Sequence, residues 1–293
     1  MQTNSILGNF SREDFLKNAV IEPPTDYTFF DTNLKKTRII VDSRVRNTNL
    51  FPNQNSYDIQ FDDDIDDVIQ VTLLYCDIPM PMYLINNYFN KLIVSIAGTD
   101  YTVILTNGDY DNTTLATELQ TKINAATGYT FIVAYVALTD NFSFTINSTF
   151  TLKFIGYTNS LNQLLGFNFK NYIAISNGLG GYVITSEFKI NFNYNNYLIM
   201  DIEQFDTLKS TDRDLNKSFA IIPKNFNNLN ICDEFSYIKR FSPPIGKLAR
   251  IKVRFYDRFG NLYDFQNMDH RYELLFESHK QKRKYGNMFG NNK

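Results

Sequence analysis

Two histidines, His270 and His279, are the only imidazoles in the 293-residue chain. General acid–base work or zinc ligation would have to use them or carboxylates. They lie nine residues apart without clustered cysteines or acidic partners, which is no metal-ligand pattern. Asp269-His270 has the residue types of an acid–base pair, but no G-x-S-x-G or comparable nucleophile motif accompanies it. The expectation is a structural or turn role for His270. The block Asp62-Asp63-Asp64-Ile65-Asp66-Asp67 offers carboxylates to Ca²⁺ but lacks the alternating spacing and central glycine of an EF-hand loop. It reads as a solvated turn that keeps sheet edges from pairing, or as a contact for a neighbouring subunit's Arg or Lys. Gly178-Leu179-Gly180-Gly181-Tyr182 lacks G-x-G-x-x-G spacing and opens no helix, so it reads as a flexible loop rather than a phosphate cradle. No catalytic, cofactor-binding or metal residue is assigned, and the expectation is a non-enzyme without cofactor or small-molecule substrate.

The formal net charge of −2 argues against a general nucleic-acid binder, which needs a basic field. Charge is nevertheless unevenly placed. Arg250, Lys252 and Arg254 alternate along one segment, and Lys282, Arg283 and Lys284 sit in a basic, Gly/Asn-rich tail. That tail is either a disordered solubilising terminus or a tether to an acidic surface, anionic lipid or DNA. The strand-like arginines either extend the basic patch or form the wet face of a sheet. Cys76 and Cys232 sit among apolar, strand-like neighbours and read as buried thiols rather than a disulfide. The N-x-S/T sequons at Asn112, Asn141, Asn147 and Asn216 are expected to be unused, because no secretory signal is visible in the first residues. No apolar run approaches the ~20 residues that span a bilayer.

The elements around these residues are mostly short strands. Tyr57, Ile59 and Phe61 alternate with Asp58 and Gln60, and Ile69, Val71, Leu73 and Tyr75 repeat the pattern. Strands are expected at 91–97 and 100–106 around a Gly98 turn, then at 129–137, 141–147 and 150–155. Leu115, Leu119 and Ile123 fall on one stripe of a helix, capped by Asn112 or Thr113, with Gly128 just past its end. Ser160 to Phe167 reads as a helical turn ending at Gly166. Beyond it, 188–194 alternates as a strand, followed by 197–203, an exposed loop over 206–217, and strands at 218–223, 235–240, 250–255, 262–266 and 272–276. Residues 1–36 lack strand periodicity and form an extended arm, either frayed or ordered by a neighbour. Few helices and many period-2 faces predict a mainly β chain: an antiparallel, jelly-roll-like β-sandwich made of 37–87 and 188–278. A small α+β module, 88–187, is inserted between them, and 279–293 forms the basic tail.

Several stretches also carry a family resemblance. Ile40-Val-Asp-Ser-Arg-Val-Arg-Asn47, Phe51-Pro-Asn-Gln-Asn-Ser-Tyr57 and Cys76-Asp-Ile-Pro79 resemble the N-terminal signature of minor capsid and penton-type proteins of large nucleocytoplasmic double-stranded DNA viruses. Val45 stands where Asp is usual there, and Phe51 where Tyr is usual. The helix-containing stretch 108–167 and the run Ser242-Pro-Pro-Ile-Gly-Lys-Leu248, Tyr256-Asp-Arg-Phe-Gly260 and Asp269-His270 resemble the same family. The resemblance implies a non-enzymatic virion protein: a minor capsid or penton-like vertex subunit, made in the host cytoplasm and bound to major and minor capsid proteins, as a homo-oligomer. Arg44, Arg46, Arg250, Lys252, Arg254, Lys282, Arg283 and Lys284 are the expected intersubunit contacts. A β-sandwich attachment protein that binds a glycan or receptor through exposed Tyr and Asn is the alternative.

Overall fold

The computed structural model describes residues 34–157, 160–208, 218–223, 229–230 and 237–280. The fold is mainly β and antiparallel, consistent with a jelly-roll-like sandwich, and one α-helix occurs among the described residues. The first two strands are β1 (Leu34–Asp42) and β2 (Ser56–Asp77). A run of short elements follows: β3 (Lys91–Ile96), β4 (Thr99–Ile104), α1 (Asn112–Thr127), β5 (Ile132–Val136), β6 (Asn141–Ile146), β7 (Phe150–Lys153), β8 (Tyr172–Ile173), β9 (Ile175–Ser176) and β10 (Tyr182–Thr185). Then come β11 (Tyr197–Ile202), β12 (Ala220–Pro223), β13 (Leu229–Asn230), β14 (Ile238–Asp257) and β15 (Arg271–His279).

The body is one sheet of order β1-β15-β2-β14-β11-β12, with β13 also pairing β2. Its spine is the pair of long strands β2 and β14, 22 and 20 residues each. Strands that long must bend to enclose a core, and bulges supply the bend. The β2–β14 register shifts between Leu248 and Arg250, and again between Arg240 and Ile245. In the second gap Pro243 and Pro244 offer no N–H to the ladder. The two ends of β2 therefore serve different parts of the sheet: residues 68–77 pair β15, while 56–72 pair β14. Inside the curl, Leu198, Met200, Val253, Phe255, Tyr272, Leu274 and Phe276 are fully buried. Their spacing is the period-2 pattern read for 250–255 and 272–276. Each such side chain contributes roughly 1.5–3 kcal/mol of transfer free energy.

A second core gathers residues from Ile85 to Tyr194. Two four-stranded sheets, β5-β6-β10-β9 and β4-β3-β7-β8, supply its walls, and α1 packs against β4 and β5. Leu115, Leu119 and Ile123 are fully buried on the helix, the stripe expected. The helix cap is Asp111, one residue before the expected Asn112: its carboxylate accepts from Thr113 N and Thr114 N. Gly128 closes the helix at φ 74°. Gly166, at φ 76°, ends the turn after Leu161 where a Cβ would lie 2.1 Å from Phe188 O, so no other residue fits. Phe89 and Tyr194 of this core meet Phe259 from the end of β14, joining the two units by aromatic contact.

The structure changes several expectations. The acidic block is not a turn. It lies inside β2, where Asp67 at φ 50° marks a bulge, Ile65 and Val68 face the core, and Lys247 on β14 pairs Asp64. Two apolar anchors and a cross-strand cation outweigh the repulsion of its charges. Residues 190–194 keep alternating burial, but Phe188 is exposed and the stretch makes no ladder, because Phe188, Ile190 and Asn191 donate to Gly166, Asp140 and Leu164 in turns of the second core. The stretch 262–266 reduces to one bridge, Tyr256 to Leu262. Of the arm expected over 1–36, residues 34–36 instead open β1 and pair β15, while residues 1–33, Cys232, most of the loop at 206–217, and the tail beyond 280 lie outside the described residues. Cys76 is a buried thiol whose pKa burial raises to about 12.

Candidate functional site

Stretches far apart in the chain converge beside the start of β2. After β1, Asp42 caps a single 3₁₀ turn over Ser43–Val45, its carboxylate accepting from Arg44 N at 3.0 Å. Ser43, fully buried, ties that turn to the residues before β15: its Oγ donates to Asp269 Oδ1 at 2.8 Å and accepts from His270 N at 2.9 Å, while its N donates to His270 O. Arg46 Nη1 donates to Asp269 Oδ1 (3.1 Å) and Ser43 O (2.7 Å), and its Nε and Nη2 donate to Phe51 O and Pro52 O. Its guanidinium thus fixes the loop that leads into Tyr57. Asn55 continues the seam, donating to Tyr263 O, and Gln54 donates to Asn267. Tyr57 completes it, with its hydroxyl 2.7 Å from His270 Nε2.

Ser43, Asp269 and His270 are the three residue types of a nucleophilic triad, but they are wired differently. In a triad the imidazole takes the serine proton and the carboxylate holds the imidazole. Here the serine hydroxyl points to the carboxylate, and the imidazole points to a phenol. Burial among Tyr57, Phe255, Phe265 and Tyr272 pushes the His270 pKa down to about 3, with the Arg46 charge adding to the shift. Burial also holds the Tyr57 phenol far above its ordinary pKa. The pair is a neutral buried strut. Its Nδ1 is buried and meets no hydrogen-bond partner among the described residues.

The expected contact residues fall into distinct settings. Arg44 is exposed and doubly bonded to Asp42, which holds that carboxyl down to about 2. Arg46 is turned inward, its side chain only 6% exposed, so its donors serve the loop rather than the surface. Arg250, Lys252 and Arg254 line the wet face of β14. Arg250 lies 3.9 Å from Asp58, Lys252 is the register partner of Asp58, and Arg254 lies 3.7 Å from Asp201. Burial raises the Asp201 pKa, and Arg254 opposes the rise. This face is therefore a ladder of alternating charges. Lys282, Arg283 and Lys284 lie outside the described residues. Spacing alone did not single out Ser43 and Asp269 as partners, because 226 residues separate them.

No curated protein matches the chain. Among solved structures, a selenomethionine-labelled penton protein of mavirus is similar at TM-score 0.41 and 12% identity, over 84% of this chain and 99% of that one. The model of a family of unknown function, DUF5901, matches residues 34–237, from the first residue of β1 to the residue before β14. The match spans more than half of the sequence, and the chain belongs to the DUF5901 family.

Proposed function

We propose that this chain is a non-enzymatic structural subunit of a viral capsid, a minor capsid or penton-like vertex component that binds neighbouring capsid proteins. One observation carries the reading: the stretches that resemble capsid proteins, 40–47, 51–57 and 269–270, fold onto one another as a single hydrogen-bonded seam. Their residues act as structural ties, as in a protein whose work is mechanical. Rigid bent strands set the shape, and loops at the ends of the sheet present contacts that symmetry repeats. The charge ladder of Arg250, Lys252 and Arg254 and the exposed Arg44 are the surfaces through which neighbours would be met. Exposed pairs of this kind gain little internally, on the order of 0–1 kcal/mol. Exchanging them for intersubunit pairs therefore costs little.

The test is assembly. The full chain is mixed with capsids lacking it and sedimented, alongside the double variant Arg250→Glu/Arg254→Glu. Co-sedimentation of the parent, and its loss in the double variant at unchanged circular dichroism, is the expected result. A parent chain that stays monomeric and remains in the supernatant overturns the reading.

A further inference from the structure

A cleft of about 460 Å³ opens where the body meets the second core. Eight of its fourteen lining residues are Asn or Gln, and Asp264 is the one charged residue among them. The body wall is built from the loop before β2, with Asn53 and Gln54, and the loop before β15, with Gln266 and Asn267. The opposite wall carries Asn87 and Asn107. We propose that this cleft binds a neutral saccharide, one or two pyranose units of a glycan. The proposal stands independently of the assembly reading.

Chemistry selects the ligand. A carboxamide offers a donor and an acceptor side by side, the pattern presented in reverse by two adjacent sugar hydroxyls. A wall of such groups with almost no formal charge gives an anionic ligand no counter-ion and an ammonium ligand a single carboxylate. The volume lies in the range of small-ligand sites. The amides are also held in place. Gln54 Nε2 donates to Asn267 Oδ1 at 3.1 Å, and Asn107 Nδ2 donates to Asn87 Oδ1 at 2.8 Å. In the first pair Gln54 Oε1 and Asn267 Nδ2 are left for a ligand, whereas Asn107 is held at both ends, its Oδ1 accepting from Asn90 Nδ2 at 3.4 Å. Gln266 Nε2 is buried without a hydrogen-bond partner among the described residues, a donor awaiting an acceptor. Gln266 and Asn267 both hold left-handed backbone, φ 47° and 61°, a strained arrangement that keeps this amide pair at the cleft. Tyr83, 42% exposed, lines the same cleft and offers a ring for the C–H face of a pyranose. An extended peptide would pair with an exposed sheet edge, whereas these walls are loops and turns.

Saturation-transfer NMR on the full chain tests the assignment, using neutral galactose-, mannose- and N-acetylglucosamine-terminated oligosaccharides, a sialylated oligosaccharide and an uncharged tetrapeptide. Binding to at least one neutral sugar with a Kd on the order of 1 mM is expected. Asn53→Ala and Tyr83→Ala, both at exposed positions, should each weaken it roughly five- to tenfold, the worth of one hydrogen bond or one ring contact. No transfer to any neutral sugar overturns the proposal. So does a stronger response from the sialylated sugar or the peptide, or binding unchanged in both variants.

Discussion

In the body, Tyr57 is held by His270 across 213 residues of sequence, whereas in the second core Phe131 N is held by Asn124, seven residues away. The same contrast runs through both units. The body is made of two strands of 20 residues or more whose partners come from the far end of the chain. The second core is made of strands of two to six residues, one capped helix, and turns closed by Gly98, Gly128 and Gly166. Both bury aromatic rings in quantity, but one is assembled by long-range ties and the other by local rules. Non-local pairing demands loop-closure entropy before contacts reward it. The body is thus the part whose stability depends on a few specific tie residues.

The largest effect that separates the two units comes from a cavity. Phe150 is 2% exposed and meets Phe131 edge-on with centroids 5.0 Å apart. Phe150→Ala should cost about 3–5 kcal/mol. If the second core unfolds as its own unit, calorimetry of the variant will show one transition moved down and a second left in place. A single transition moving as a whole would merge the two units and end the contrast.

The next test falls on the body. Arg46→Ala removes four side-chain hydrogen bonds and leaves Phe51 O and Pro52 O unsatisfied by protein, while Ser43 O keeps the backbone N–H of residue 46. Asp269 is partly solvated, so the expected loss is roughly 2–3 kcal/mol rather than that of a sealed ion pair. Denaturant melts should place the loss in the body transition, with amide exchange of α1 unchanged. Faster exchange in α1 would mean that the aromatic joint of Phe89, Tyr194 and Phe259 couples the units tightly.

The same contrast explains what could be read from sequence. The helix stripe Leu115-Leu119-Ile123, the Gly128 stop and the Gly98 turn are set by neighbours in the chain, and the structure has them. Alternation at 250–255 and 272–276 is also local and found its face. The acidic block misled, because its charges argue for solvent while Ile65 and Val68 anchor it from a partner strand no local rule reveals. Residues 188–194 misled in the opposite sense: their pattern is strand-like, but Gly166, Asp140 and Leu164 supply the acceptors. The seam was legible only as a list of resembling motifs. That Arg46 would turn inward onto Asp269 depends on β1 pairing β15, which periodicity does not specify. The amide cleft gave no signal beyond the Asn pairs themselves, since its lining is drawn from separate stretches at 53–55, 82–107 and 262–267.

The smallest effect concerns protons, and it too should belong to the body. His270 is neutral in the fold, with a pKa lowered from 6.5 to about 3. The unfolded chain therefore binds a proton that the folded chain refuses between those values. Stability from this site is fully present above pH 6.5 and is lost as pH falls toward 3. From pH 6.5 to 5 the loss is roughly 2 kcal/mol, at 1.4 kcal/mol per unit. The groups around the imidazole do not mask it. Asp42, held down to about 2, acts below pH 4, and the phenols of Tyr57 and Tyr272 are raised far above neutrality. Asp201, raised by burial, works in the opposite sense from another part of the sheet. Comparing melts at pH 6.5 and 5 for the parent and His270→Phe isolates the term: the variant is less stable at pH 6.5, having left the Tyr57 hydroxyl unpaired, but its pH slope should flatten. Equal slopes would mean that the imidazole reaches solvent protons in the folded state, and that the seam opens as readily as the local turns of the second core.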